Sequence, residues 1–154
     1  MSFFLPVALH HASRLINHGP TVLVTSAHGG RRNVMAAAWS MPVEFTPPRV
    51  AVVIDKKTFT RELVAGSGAF GLCIPGLTLA DFTFAVGSTS GRDEDKFARH
   101  GVAPLAGPVL GMPVMETGCA AWLECRVIPE RHTEDAYDTC FAEVVAAAAD
   151  PRIF

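Results

Sequence analysis

No two cysteines in this chain stand close enough to form a C-x-x-C pair. The four, Cys73, Cys119, Cys125 and Cys140, are scattered, which excludes a zinc knuckle and a thioredoxin-type motif. They are expected to be buried, reduced and without a redox role, because Cys73 and Cys125 lie in strand-like apolar stretches where a thiol acts as a small hydrophobe. Positive charge is also scarce: 13 Lys and Arg against 15 Asp and Glu give a net charge of -2, so no basic stripe invites a nucleic-acid backbone and no nucleic-acid partner is expected. The longest apolar runs, 50–54 and 144–149, fall far short of the roughly 20 residues that cross a bilayer. Phe3-Phe4-Leu5 has no basic leader; with neither a span nor a signal peptide, the expected compartment is the cytoplasm. The G-x-x-x-x-G-K-[ST] spacing, a nucleophile elbow, a carboxylate pair and a spaced set of metal ligands are all missing, so hydrolysis by side chains has little support.

What is present is a hydrophobic fraction of 49% over 154 residues, enough for one domain with a real core across 1–154. The stretch Asn33-Val34-Met35-Ala36-Ala37-Ala38-Trp39-Ser40 is polar, then small, then aromatic. Alanine is a weak strand former unless room is needed. Two readings fit: a close-packed barrel wall, or a wall against which a flat ligand lies, with Asn33 and Ser40 offering donors and acceptors at either end.

Around it, His10 to His18 reads as a brief helix or strand, its histidines solvated or capping rather than a ligand set. Thr21 to Ser26 is a strand, and Gly29-Gly30 a hairpin turn. Prolines 42, 47 and 48 make a rigid connection into a buried strand, Arg49 to Asp55. Thr58 or Thr60 caps a short helix that ends at Gly66 or Gly68. That helix start, with Lys56, Lys57 and Arg61 nearby, is either an ordinary cap or an anion site. Ala69 to Ile74 is a strand. Thr78 and Asp81 form a capping-box-like start to a helix running through Ala85. Gly87 to Gly91 is an amide-exposing turn, and Asp93 and Glu94 begin a further helical turn. Residues 102–113 read as an irregular linker, Ala120 to Ile128 as a strand, 129–135 as a charged turn, and Tyr137 to Ala149 as the last long strand. Roughly six strands with short helices predict a mostly β fold, a small antiparallel barrel. A planar phosphorylated cofactor would suit a flat slot flanked by anion cradles.

Six stretches carry a resemblance: Gly19-Pro20-Thr21-Val22-Leu23-Val24-Thr25, Asn33 to Ser40, the paired Pro47-Pro48, Thr58-Phe59-Thr60-Arg61-Glu62-Leu63-Val64, Ser67 to Pro75, and Ser90-Gly91-Arg92-Asp93-Glu94-Asp95-Lys96-Phe97. In order and spacing, over most of the chain, they resemble the flavin reductase-like family, which includes the flavoredoxins. The resemblance implies an FMN-binding split β-barrel, Greek-key-like and antiparallel, that forms a homodimer with FMN near the subunit interface. It implies that Asn33, Val34, Met35, Ala36, Ala37, Ala38, Trp39 and Ser40 lie along the isoalloxazine and ribityl chain. Thr58, Thr60 and Arg61 would face the phosphate. Ser90, Gly91, Arg92 and Lys96 would form a second polar patch near FMN or a nicotinamide. Many relatives carry Gly-Asp-His before the last strand, where this chain has Asp135-Ala136-Tyr137, and many continue past the equivalent of Phe154. The implied activity is electron transfer from NADH or NADPH through FMN to a flavin, a redox protein partner or another acceptor. The alternatives are a flavoredoxin-type carrier without nicotinamide activity, and a split barrel that binds another planar ligand such as haem, or an oxidase of the pyridoxamine-phosphate type.

Overall fold

The computed structural model describes residues 19–152; the His10–His18 stretch lies outside them. β1 (Val22–His28) and β2 (Arg31–Ala37) form a hairpin in full register from Val22↔Ala37 to His28↔Arg31. Its two-residue turn is Gly29-Gly30, with φ of 58° and 76°, a conformation that residues bearing a Cβ rarely adopt. β3 (Ser40–Phe45) and β4 (Pro48–Asp55) make a second hairpin through the cis Thr46-Pro47 bond. The proline-rich connection expected here is therefore a strand. Pro42 is tolerated because β3 is one of the two outermost strands of the sheet and its register shifts between Pro42 and Glu44.

α1 (Phe59–Ser67) starts at Thr58, whose Oγ1 accepts from the Arg61 N–H at 3.2 Å, and ends at Gly68 with φ 68°. β5 (Ala69–Pro75) follows, and a 3₁₀ turn at Leu77–Leu79 leads into α2 (Ala80–Ser88). The Thr78 cap expected for this helix is absent, because the 3₁₀ turn delivers the chain to Ala80 with Leu79 in the cap position and no side-chain hydrogen bond. α3 (Lys96–Arg99) is capped by Asp95 rather than opened by Asp93 and Glu94. Two short strands, β6 (Leu105–Ala106) and β7 (Pro113–Val114), occupy the expected linker. β8 (Cys119–Thr133) runs through the expected charged turn. The irregular register between Val127 and Arg131 absorbs Pro129. β9 (Tyr137–Ala149) has the expected bounds.

Seven strands join one antiparallel sheet in the order β2-β1-β5-β8-β9-β4-β3, with β6-β7 beside it, so the fold is the expected mostly-β split barrel with more strands than the expected six. Strand alternation divides the core. Val22, Val24, Val52, Ile54, Phe70, Leu72 and Ala142 pack inside with Val64 of α1. Leu23, Val34, Cys73 and Trp122 point outward and are covered by Phe82, Val86 and Phe97. Because β1 and β5 are covered on both faces, Val22 to Ser26 and Ala69 to Cys73 are buried without alternation, β5 reading as an apolar run and β1 carrying Thr25 and Ser26 inside.

A buried glutamate fastens the loop before β7. Glu124 has no exposed surface, and its carboxylate accepts from the backbone N–H groups of Val109 at 2.8 Å, Leu110 at 2.9 Å and Met112 at 3.1 Å. A charge without a cation partner is tolerable in the interior only when amides saturate its oxygens in this way.

Candidate functional site

β2 brings Asn33 and Val34 into the core and leaves Met35 to Ala38 half-buried. The small side chains have packing work. Ala36 faces α2 so closely that a Cβ on Gly87 would stand 3.1 Å from its methyl, and Ala37 packs on the barrel interior with Met35. What the stretch offers outward is its last part. Trp39 is 42% exposed, and its ring lies 5.4 Å from that of Tyr137, tilted by 49°. The sheet register explains this meeting: Val53 N–H donates to Trp39 O at 2.9 Å, while Tyr137 pairs with Asp55 two residues along β4.

From Asp55 the chain enters a polar strip. Asp55 accepts from the Lys57 N–H at 2.8 Å, and the Thr58 hydroxyl donates to Asp55 O at 2.8 Å, so the chain is shaped for the start of α1. Lys56 reaches across to the carbonyls of Glu134 and Asp135. Arg61 turns away from this strip: its Nε donates to Asp138 Oδ2 at 2.6 Å. Burial pushes the Asp138 carboxyl up, but hydrogen bonds from Arg61 and Thr133 and the charges of Arg61 and Lys56 outweigh it and hold the group below the ordinary carboxylate range.

Three stretches far apart in sequence converge at the α1 start. Asn33 Nδ2 donates to the Thr60 Oγ1 at 2.9 Å, both residues being buried. Gly91 lies against the same amide: a Cβ there would stand 2.0 Å from Asn33 Oδ1, an oxygen that is buried with no hydrogen-bond partner among the described residues. Arg92 then binds the helix start, donating to Glu62 at 2.6 Å and to Lys57 O at 3.1 Å, and Ser90 Oγ accepts from the Arg92 N–H at 3.2 Å. The α1 start and the 90–92 stretch, separate in the sequence, thus form a single surface. Arg31, which sequence reasoning passed over, lies 4.1 Å above the Phe59 ring and donates to Arg92 O. The double arginine after a glycine turn was the signal for it.

Lys96 stands apart from the others. It is 2% exposed, and its ammonium donates to Val34 O at 3.0 Å and Val86 O at 2.7 Å, tying β2 to α2 from behind the wall. Burial pushes its pKa down, against a smaller upward pull from Glu94. Its sequence setting, among three acids, gave no sign of burial.

A family model described as a flavin reductase like domain matches residues 14–153. The chain belongs to the flavin reductase-like family. Among its relatives in that family is the uncharacterized protein YddH of Escherichia coli, 60% identical over the whole of this chain and 82% of that protein. Among solved structures, the chain is similar to an FMN-binding domain of a flavin reductases-like enzyme from Shewanella baltica, 39% identical with a TM-score of 0.78, over 96% of this chain and 78% of that one. It is also similar to the flavoredoxin of Desulfovibrio vulgaris, 28% identical with a TM-score of 0.80, over 87% and 71% respectively.

Proposed function

We propose that this chain is an FMN-binding oxidoreductase that takes NADH or NADPH as electron donor and a flavin, a redox protein or another small molecule as acceptor, with residues 1–154 acting as one unit. One observation carries the reading: in a member of this family, the register of β3, β4 and β9 sets an exposed Trp39–Tyr137 pair beside Asp55, and the chain passes within three residues to the cationic, hydroxyl-bearing start of α1. That sequence of surfaces, aromatic and then cationic, matches a flat ring system joined to a phosphate.

The donor set fits FMN. Lys57 and Arg31 are exposed, and Thr58, Ser90 and the first amides of α1 stand at the phosphate end. The backbone of 38–40, with Trp39 and Tyr137, would hold the ring, and Arg92 would order Lys57 and Glu62 around the phosphate. Asn33, Thr60 and Gly91 act one layer deeper, fixing how β2 and the 88–95 loop meet α1. Val34, Met35, Ala36, Ala37 and Lys96 shape the wall from behind, and Arg61 stiffens the far side through Asp138. The bound flavin supplies the redox chemistry, exchanging two electrons between nicotinamide and acceptor. Backbone N–H groups lining the ring stabilise negative charge without a side-chain acid or base.

Met41, Val43 and Phe45 are exposed on the outermost strand, which supports a homodimer formed over that edge. Among the described residues no helix is long and apolar enough to cross a membrane, and a cytoplasmic location agrees with this. The test is the ultraviolet-visible spectrum of the purified protein with and without added FMN, followed by anaerobic NADH or NADPH. A flavin spectrum at micromolar FMN, an affinity worth about 8 kcal/mol, that bleaches with nicotinamide is expected. Bleaching by dithionite alone would make the chain a flavoredoxin-type carrier, and no FMN binding would refute the proposal.

A further inference from the structure

Two of the four thiols meet on the outer face of the sheet. β5 pairs with β8 so that Cys73 opposes Trp122 and Pro75 opposes Cys119, which sets Cys119 diagonally across from Cys73 on the same face. Both belong to the buried cluster on that face, together with Met115 and Trp122. Regular diagonal neighbours stand about 7–8 Å apart, just beyond the usual disulfide span of about 4.4–6.8 Å between Cα atoms. Here the ladder is not regular. Its register slips between Ile74 and Pro75, and Cys119 is the first residue of β8, preceded by Gly118 with φ 78°. Cys119 therefore sits at the loose end of its strand, beside a bulge that can take up the small movement needed.

The two thiols have different surroundings. Cys73 has no exposed surface, whereas Cys119 is 8% exposed and forms part of the wall of an open cavity of about 530 Å³ between 115–122 and 148–152. The hydrogen bond to Cys119 and burial push the Cys73 thiol far up, while the same hydrogen bond pulls Cys119 below its ordinary value against the effect of burial. Cys119, at the cavity wall, is thus the thiol that a solute meets first, and the fully buried Cys73 lies behind it. Cys125 and Cys140 belong to the barrel interior, and burial raises both.

We propose that Cys119 and Cys73 are a peroxide-sensitive thiol pair, in which Cys119 attacks a hydroperoxide entering the cavity and Cys73 resolves the product as a reversible disulfide. In the first step the Cys119 sulfur attacks the terminal peroxide oxygen; an S–O bond forms, the O–O bond breaks, and the alcohol or water leaves with the thiol proton. In the second step the Cys73 sulfur attacks the Cys119 sulfenic acid; an S–S bond forms and water leaves, carrying the Cys73 proton. The oxidant is the hydroperoxide, and a thiol reductant reverses the reaction.

The experiment treats the full-length protein with hydrogen peroxide, blocks the remaining thiols with an alkylating reagent and reads intact mass and non-reduced peptide maps. The expected result is a loss of two hydrogen atoms, reversed by dithiothreitol, with a single cross-linked peptide joining Cys73 and Cys119. Cys119→Ser should abolish the change, and Cys73→Ser should halt it at a Cys119 sulfenic acid captured by dimedone. Since Cys73→Ser places a hydroxyl in the core, the wild-type peptide map decides the question by itself if that variant fails to fold. A cross-link through Cys125 or Cys140, a sulfenic acid on wild-type Cys119 that never resolves, or an unchanged mass while a free thiol in the same tube is oxidised would each overturn the proposal.

Discussion

Replacing Lys96 by methionine keeps the length of the side chain and removes its ammonium. Val34 O and Val86 O then lose their donor in a place water does not reach. A hydrogen bond to a charged group is worth about 1.5–3 kcal/mol net, so two put the loss at about 3–6 kcal/mol. The cost of burying a cation, which methionine does not incur, offsets part of it, and a fall in stability of about 3 kcal/mol at neutral pH is expected. For a chain of this size that corresponds to a drop of about 6–12 °C in Tm. The pH dependence gives the sharper measurement. The folded-state pKa of Lys96 is lowered from 10.5, so between the two values the unfolded chain binds the proton more strongly than the folded one. Wild-type stability therefore gains as pH rises through this window, by at most about 1.4 kcal/mol per pH unit, and the gain is lost as pH falls through the folded pKa. Lys96→Met has no such group, so the gap between the proteins should widen on the alkaline side. Urea unfolding of both proteins from about pH 8 upward measures it. A gap below about 0.5 kcal/mol would refute the picture of Lys96 holding β2 to α2, and two curves that stay parallel up to pH 10.5 would refute the lowered pKa.

Trp39→Ala should weaken FMN binding about tenfold, or 1.4 kcal/mol, in a fluorescence-quenching titration, with Tm almost unchanged; unaltered affinity would remove Trp39 from the proposed ring site. Glu124→Gln turns one acceptor oxygen into an NH₂ group facing backbone donors and should cost about 2–3 kcal/mol in urea unfolding, with new protease cleavage in 107–112; native stability would show that the carboxylate is dispensable. Asp138→Asn should lose about 1–3 kcal/mol at neutral pH. Because the Asp138 pKa is lowered in the folded state, that stability is present above the unfolded value and disappears as pH falls through the folded one, so the two proteins should converge in acid; a gap that persists there would assign the effect to packing.

The parts of the fold that were legible in the sequence are those where one residue type has a single local use. Gly29-Gly30 could only be a tight turn, α1 is bracketed by Thr58 and Gly68, one of the two residues open at each end, and β9 begins and ends as its pattern indicates. The misread parts are those where tertiary position overrides local preference. Pro42 and Pro129 look like breaks, yet one lies on an outermost strand and the other inside a bulge. Thr78 and Asp81 have the spacing of a cap, but the 3₁₀ turn consumes the threonine. At the candidate site the stretches read from the sequence at 33, 58–61 and 90–92 do meet at the start of α1, but their depth was not legible. Asn33, Thr60 and Lys96 proved to be buried, whereas Arg31 and Tyr137 form part of the surface. Charge and hydroxyl content reveal chemistry; which layer a side chain occupies depends on strand register and on what packs above it.

The outermost strand β3 also limits how this protein can associate. A flat ladder of free backbone groups beside Met41, Val43 and Phe45 would template further strands without end. Pro42 has no N–H to offer, and the irregularity before Glu44 bends the edge out of plane. A second molecule meeting this border would do so through side chains, because Pro42 and the register shift interrupt backbone pairing along it. Any assembly over this border would therefore be finite, with shape rather than backbone pairing selecting the companion.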